Sequence, residues 1–299
     1  MLAACAALLQ LRGQPLAGGL PSGGAAVPLE RASGGDTPVL TLRSARGSLR
    51  LLFDTGASSS MVIPGAAQRL GLVSRALSPS ALGLAGGGSG CKGLRPGRTV
   101  LPTLRMESPG GRLEIRGAEA LVLPVAALPP GIDGVLGAPL WSRLPVRIDP
   151  RRQLLRLGQA ATTPEPGEPP TLTLPLRWFR GVPLLRLTTA AGPVAALADT
   201  GAEGLFLAPG LAVRLRPLSP AEPLRLVGFC GEQAVVRRHF GGFSLGEPAS
   251  SGGEELGAIV APNSIYRALG VEAIAGQALL RERGQLWRLD LQPPRLSLW

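Results

Sequence analysis

Two short segments hold the side chains best placed for chemistry. Leu51-Leu52-Phe53-Asp54-Thr55-Gly56-Ala57-Ser58 and Ala196-Leu197-Ala198-Asp199-Thr200-Gly201-Ala202-Glu203 each carry an apolar run into Asp-Thr-Gly-Ala. A carboxyl at the end of a strand offers acid–base chemistry, although Asp-Thr-Gly is also ordinary turn chemistry. A duplicated structural turn is therefore the competing reading, but two such segments at matching places are far rarer by accident than one. Other chemistries have little to work with. The single histidine, His239, excludes multi-His zinc sites and any relay that does not use that residue. Cys5, Cys91 and Cys230 form no Cys-x-x-Cys pair, which removes zinc ribbons and thioredoxin-type redox chemistry. Gly88-Ser89-Gly90-Cys91-Lys92-Gly93 has dinucleotide-loop spacing, but Leu94-Arg95-Pro96-Gly97 follows where a helix is needed. Gly242-Phe243-Ser244-Leu245-Gly246 has nucleophile-elbow spacing, yet His239 precedes the serine instead of following it.

The elements around the two segments repeat as well. Pro38–Leu42 aligns with Pro183–Leu187, and at the same offset of 145 residues Leu51–Ala57 falls on Ala196–Ala202. Pro64-Gly65 and Arg69-Leu70 then fall on Pro209-Gly210 and Arg214-Leu215. Near the end of each half, Val135-Leu136-Gly137 matches Ile274-Ala275-Gly276, and Asp149 matches Asp290. Short alternating runs such as Val39–Arg43 and Leu185–Thr188, cut by 42 Gly and 30 Pro, predict strands and turns, not long helices. The best helix signal is Asn263–Gly270, with Asn as cap and Gly as stop. The expected organisation is an N-terminal leader or tail over 1–35, a first lobe over 36–158, a Pro-rich linker over 159–171 and a second lobe over 172–299. The fold class is all-β, with two lobes about a pseudo-twofold axis.

The motifs resemble those of the pepsin-like and retropepsin-like aspartic proteases. In those families an FDTGAS-type loop and a downstream hydrophobic-hydrophobic-Gly segment occur in each half. Here the pairs are LLFDTGAS with GVLG (Gly134–Gly137) and ALADTGAE with AIAG (Ala273–Gly276). The resemblance extends over residues 36–299 and looks closest to two fused retropepsin-type units. It implies a bilobal, closed β-barrel peptidase with Asp54 and Asp199 as the catalytic pair, needing no metal or other cofactor. Two carboxyls brought together at a twofold axis cannot both ionise cheaply, so they share a proton; this protease pair is a standard illustration of that effect. The resemblance gives Thr55 and Thr200 a bracing role across the axis. Gly56 and Gly201 leave room for close approach, and Ala57 and Ala202 stand where pepsin-like relatives tend to carry a hydroxyl. Substrate-covering flaps are expected at Leu84–Gly90, including Gly87, Gly88 and Ser89, and at Leu226–Gly231, including Gly228 and Phe229. Tyr266, the one tyrosine, lies outside both, a departure from the pepsin flap.

The implied partner is a peptide or unfolded protein, and one chain that holds both halves is expected to act as a monomer. The competing class is a peptide-binding module of the same fold that does not cut. A formal charge of +11 suggests nucleic acid, but 30 of the 31 basic residues are Arg, scattered singly or in pairs, so no nucleic-acid partner is expected. No run of eighteen apolar residues occurs, so no membrane-spanning helix is expected. The apolar stretch Leu2–Leu11 fits an exported protein, periplasmic or secreted, or lipid-anchored through the lipobox-like Leu2–Cys5 if a start lies upstream; a frayed tail is the alternative.

Overall fold

The computed structural model of the chain describes all residues except 1, 5–6, 12–14, 79–81, 87–93, 164–168, 230 and 247–252. The fold is mostly β. Among the described residues the strands form a 15-stranded sheet, a 9-stranded sheet and a separate two-stranded ribbon.

Each Asp segment is the end of a strand held in the same way. Gly47–Phe53 pairs antiparallel with Pro38–Ser44 and parallel with Gly134–Leu136. Gly192–Ala198 pairs antiparallel with Val182–Thr189 and parallel with Ala273–Ala275. The three-residue apolar strands 134–136 and 273–275 are buried on both faces, as strands with parallel neighbours require. The helix at Ser264–Leu269 follows its sequence signals: the Asn263 side chain accepts from the Ile265 amide at 3.0 Å, and Gly270 closes it in the left-handed region.

A shared sheet forms the base of the molecule. Its strands run Gly18–Pro28, Leu154–Gly158, Val146–Asp149, Gln285–Arg288, Arg295–Leu298 and Leu172–Pro175. The junction between the halves is the antiparallel pair in which Val146 meets Trp287 and Ile148 meets Gln285. Phe53 packs above it, edge-on to Trp141 at 4.6 Å and to Trp287 at 6.3 Å. These fully buried rings tie the strand that leads into Asp54 to both halves of the base.

Two stretches differ from the sequence expectation. Residues 18–28, placed in the N-terminal tail, form an eleven-residue strand between Gly111–Val122 and Leu154–Gly158. Its Gly and Pro residues conceal the pattern, and the glycines are needed for close approach: a Cβ on Gly18 would lie 2.0 Å from the Pro139 carbonyl. Residues 159–162, placed in the linker, form a helical turn that buries Ala161. No helix among the described residues is long and apolar enough to cross a membrane.

Candidate active site

The two Asp loops meet at the centre of the molecule, where Asp54, Thr55, Asp199 and Thr200 are all fully buried. Each aspartate is fixed by its own half. The Asp54 amide donates to the Leu136 carbonyl at 3.2 Å, and the Asp199 amide to the Ala275 carbonyl at 3.0 Å. The threonines reach across. The Thr55 hydroxyl donates to the Ala198 carbonyl at 2.7 Å and accepts from the Thr200 amide at 3.1 Å. Reciprocally, the Thr200 hydroxyl donates to the Phe53 carbonyl at 2.8 Å and accepts from the Thr55 amide at 3.0 Å. Four buried bonds therefore lock one loop to the other, and none has water to replace it.

The glycines set the distance between carboxyls. A Cβ on Gly56 would lie 2.3 Å from the Asp199 carboxyl carbon, and one on Gly201 would lie 2.4 Å from that of Asp54. No other residue type fits there. The Gly56 and Ala57 amides donate to Asp54 Oδ1 at 2.8 and 2.9 Å, and the Gly201 amide donates to Asp199 Oδ1 at 2.9 Å. The other oxygen of each carboxyl, Oδ2, is buried and accepts no hydrogen bond.

Burial sets the protonation. Asp54 is raised well above the ordinary carboxyl range, first by burial and then by its interaction with Asp199, against the pull of the Gly56 and Ala57 amides. Burial pushes Asp199 up to about 6. The two carboxyls interact and titrate as a unit. Such a pair can take a proton from a bound molecule at one oxygen and give one at another.

Several residues that the motifs do not point to support these loops. Gln277 is buried; its side-chain amide donates to the Thr200 carbonyl at 2.7 Å and its backbone amide to the Ala202 carbonyl at 2.8 Å. In the first half the Ala138 amide makes the corresponding bond to the Ala57 carbonyl at 2.8 Å, with no side-chain counterpart. Glu203 clamps the halves together, accepting from the Asp36 amide at 2.6 Å, the Thr37 amide at 3.1 Å and the Thr37 hydroxyl at 2.6 Å. Arg281 continues that clamp, bonding the Asp36 carboxylate at 3.1 Å. The one signal in the sequence is that Glu203 stands where the first copy has Ser58.

The expected flaps fall differently. Gly87, Gly88 and Ser89 lie outside the described residues, as do all three cysteines. Gly228 ends the first arm of a long hairpin, Glu222–Gly228 with Gly231–Leu245. Phe229 at its tip is fully buried, in one apolar cluster with Val39, Leu52, Ala57, Met61 and Leu121 of the opposite half. The second hairpin thus crosses the molecule to cover the first Asp loop. Beside it a cavity of about 240 Å³ is lined by Ser33, Gly35, Leu128, Glu203 and Val227. A larger one of about 750 Å³ opens along Pro38–Ser44 and Leu104–Ser108 and touches neither Asp loop. His239 sits in the strand Gly231–Leu245, half-exposed beside Glu255. Ser244 lies in the same strand and not at a strand-to-helix turn.

The comparisons with known proteins support an aspartic-protease-like fold. A family model described as aspartyl protease matches residues 44–140, which contain Asp54 and the Gly137 segment. Among solved structures, the basic 7S globulin from soybean superposes with a TM-score of 0.52 at 13% identity, covering 95% of each chain. Conglutin gamma, a basic 7S globulin from lupine seeds, gives 0.50 at 11% identity, covering 92% of this chain and 94% of its own. No curated protein matches the sequence.

Proposed function

We propose that the chain is an aspartic endopeptidase that hydrolyses peptide bonds with a water activated between Asp54 and Asp199. The observation that carries this reading is the pair of facing, fully buried carboxyls, each with one oxygen on backbone amides and the other without a protein partner. The ionised member of the pair takes a proton from the water as its oxygen attacks the scissile carbonyl carbon. The protonated member donates to the carbonyl oxygen, leaving a neutral gem-diol. When the C–N bond breaks, the leaving amine takes a proton from one carboxyl and a diol hydroxyl returns one to the other, so the pair ends with its single proton. The cross-bonded threonines hold the two oxygens in position through the cycle, which is what electrostatic preorganisation requires. Both half-sites lie in one chain, so the enzyme acts as a monomer on a peptide or unfolded protein.

The second reading is a peptide-binding module of the same fold, favoured by the description of both structural neighbours as globulins. Buried carboxyls kept adjacent at a cost to folding favour the enzyme. Digestion of a denatured protein mixture, with the wild type and with Asp54→Asn, separates the two. Fragments that appear with the wild type alone support the peptidase; fragments that appear equally with both remove it.

A further inference from the structure

A further cavity of about 750 Å³ lies in the first half, between the turn at Arg46, the loop that carries Leu72 and Val73, and the strand Gly97–Val100. None of its lining residues belongs to either Asp loop. Its volume is that of a small-molecule site. Its charge does not balance. Arg46, Arg75 and Arg98 line it, and of the described lining residues only Glu119 carries a carboxylate. Glu119 is already committed, accepting from Arg98 Nε at 3.0 Å, from Arg98 Nη2 at 2.6 Å and from the Ala17 amide at 2.8 Å.

The other two guanidiniums keep their charge. Arg46 donates to the Gly71 carbonyl at 3.0 Å, a neutral acceptor that holds the side chain in place without compensating it. Among the described residues Arg75 has no partner at all. It stands directly opposite Arg98 where the strands Arg75–Ala76 and Gly97–Val100 pair antiparallel. Like charges directly opposite on a sheet are destabilising, and nothing in the described chain offsets that of Arg75. Beside these cations the cavity is aliphatic. Val73 is 80% exposed and Val100 59% exposed, and Leu72 and Leu77 also line it. The cavity along Pro38–Ser44 has the same volume but a balanced lining, with Arg43 and Arg105 against Glu30 and Glu107.

We propose that the cavity of Arg46, Arg75 and Arg98 binds a phosphate monoester carried on an aliphatic body. A phosphate monoester carries about −1.5 to −2 near neutral pH, which matches the surplus of positive charge. The planar guanidinium fork suits its oxygens, and Val73 and Val100 take the aliphatic part out of water. A free alkyl phosphate and a phosphatidate headgroup in a bilayer both present this chemistry. The site is separate from the Asp54–Asp199 pair and does not depend on the peptidase reading.

The test is calorimetric titration of the full chain with hexyl phosphate, which should bind saturably near neutral pH. Arg46→Ala with Arg75→Ala should weaken binding at least about tenfold, because charge-assisted bonds are lost. Both side chains are exposed, and an unchanged Tm confirms that the variant folds. Val73→Ser with Val100→Ser should weaken hexyl phosphate about threefold and leave inorganic phosphate unaffected, which separates the aliphatic contribution from the charge. Arg43→Ala removes the same charge from the balanced cavity and should change nothing. Absence of saturable binding, an equal loss in Arg43→Ala, or hexanoate binding as tightly as hexyl phosphate overturns the proposal. Vesicles of phosphatidylcholine with and without phosphatidic acid distinguish the source. Sedimentation with phosphatidic acid alone, abolished by the Arg46 and Arg75 changes, identifies a bilayer lipid. Hexyl phosphate binding without sedimentation identifies a free ester.

Discussion

The protein should lose stability between pH 5 and pH 7, and the double variant Asp54→Asn, Asp199→Asn should not. Burial raises both carboxyls, Asp199 from an ordinary 3.8 to about 6 and Asp54 further still from its usual range. A carboxyl raised in the fold binds its proton more tightly there than in the unfolded chain. Its stabilising effect is complete below the unfolded pKa and is lost as pH rises through the folded one. At about 1.4 kcal/mol per unit, Asp199 alone costs about 1.3 kcal/mol between pH 5 and pH 7, and Asp54 adds with the same sign. That is a fall in Tm of about 3 °C or more for a chain of this size. The window isolates the pair. Glu114, held down to about 2 by hydrogen bonds from Arg105 and Arg116, and Glu119 and Asp149, also lowered, lose their contributions only as pH falls below the ordinary carboxyl range. Calorimetry of both proteins at pH 5, 6 and 7 is the assay, and at pH 7 the double variant should melt higher despite having no chemistry. A level wild-type Tm, or a double variant that keeps the fall, refutes the argument that burial forces the pair to hold a proton.

Thr200→Ala should cost about 2–4 kcal/mol in denaturant unfolding, because it leaves the Phe53 carbonyl and the Thr55 amide buried without partners; a loss under 1 kcal/mol would count against the cross-bonded lock. Gly56→Ala should abolish peptide hydrolysis and lower Tm, since its Cβ overlaps the Asp199 carboxyl. Gly65→Ala, in a helix with nothing within 4 Å, should leave Tm unchanged or raise it by a few degrees, equivalent to about 1 kcal/mol. Ala57→Ser places a hydroxyl beside Asp54, and a bond to the ionised form should move the acid limb of the rate–pH profile down by somewhat under one unit; an unmoved limb in an active variant removes that bond. Specific activity should stay flat on dilution, and a concentration-dependent midpoint would instead indicate a dimer.

Much of the site is legible in the sequence because its requirements are local. An apolar strand must deliver Asp, a hydroxyl must follow, and only Gly allows the next backbone to approach the opposite carboxyl; that need fixes residue types at Asp54–Gly56 and Asp199–Gly201. The same holds for Gly137 and Gly276, whose would-be Cβ atoms meet the Ala57 and Ala202 carbonyls, and for the capped helix Ser264–Leu269. Other features depend on partners distant in the sequence and leave no periodic trace. Glu203 looks like a departure from the repeat until Asp36 and Thr37 lie against it. Residues 18–28 look like a tail until two strands flank them and their glycines meet backbone on both sides. Phe229 reads as part of a substrate-covering flap, and only the fold shows it buried against Val39, Leu52 and Ala57 of the opposite half. The sequence determined which side chains could do chemistry; the tertiary structure decided which buried carboxyl faces which, what clamps them and what lies across them.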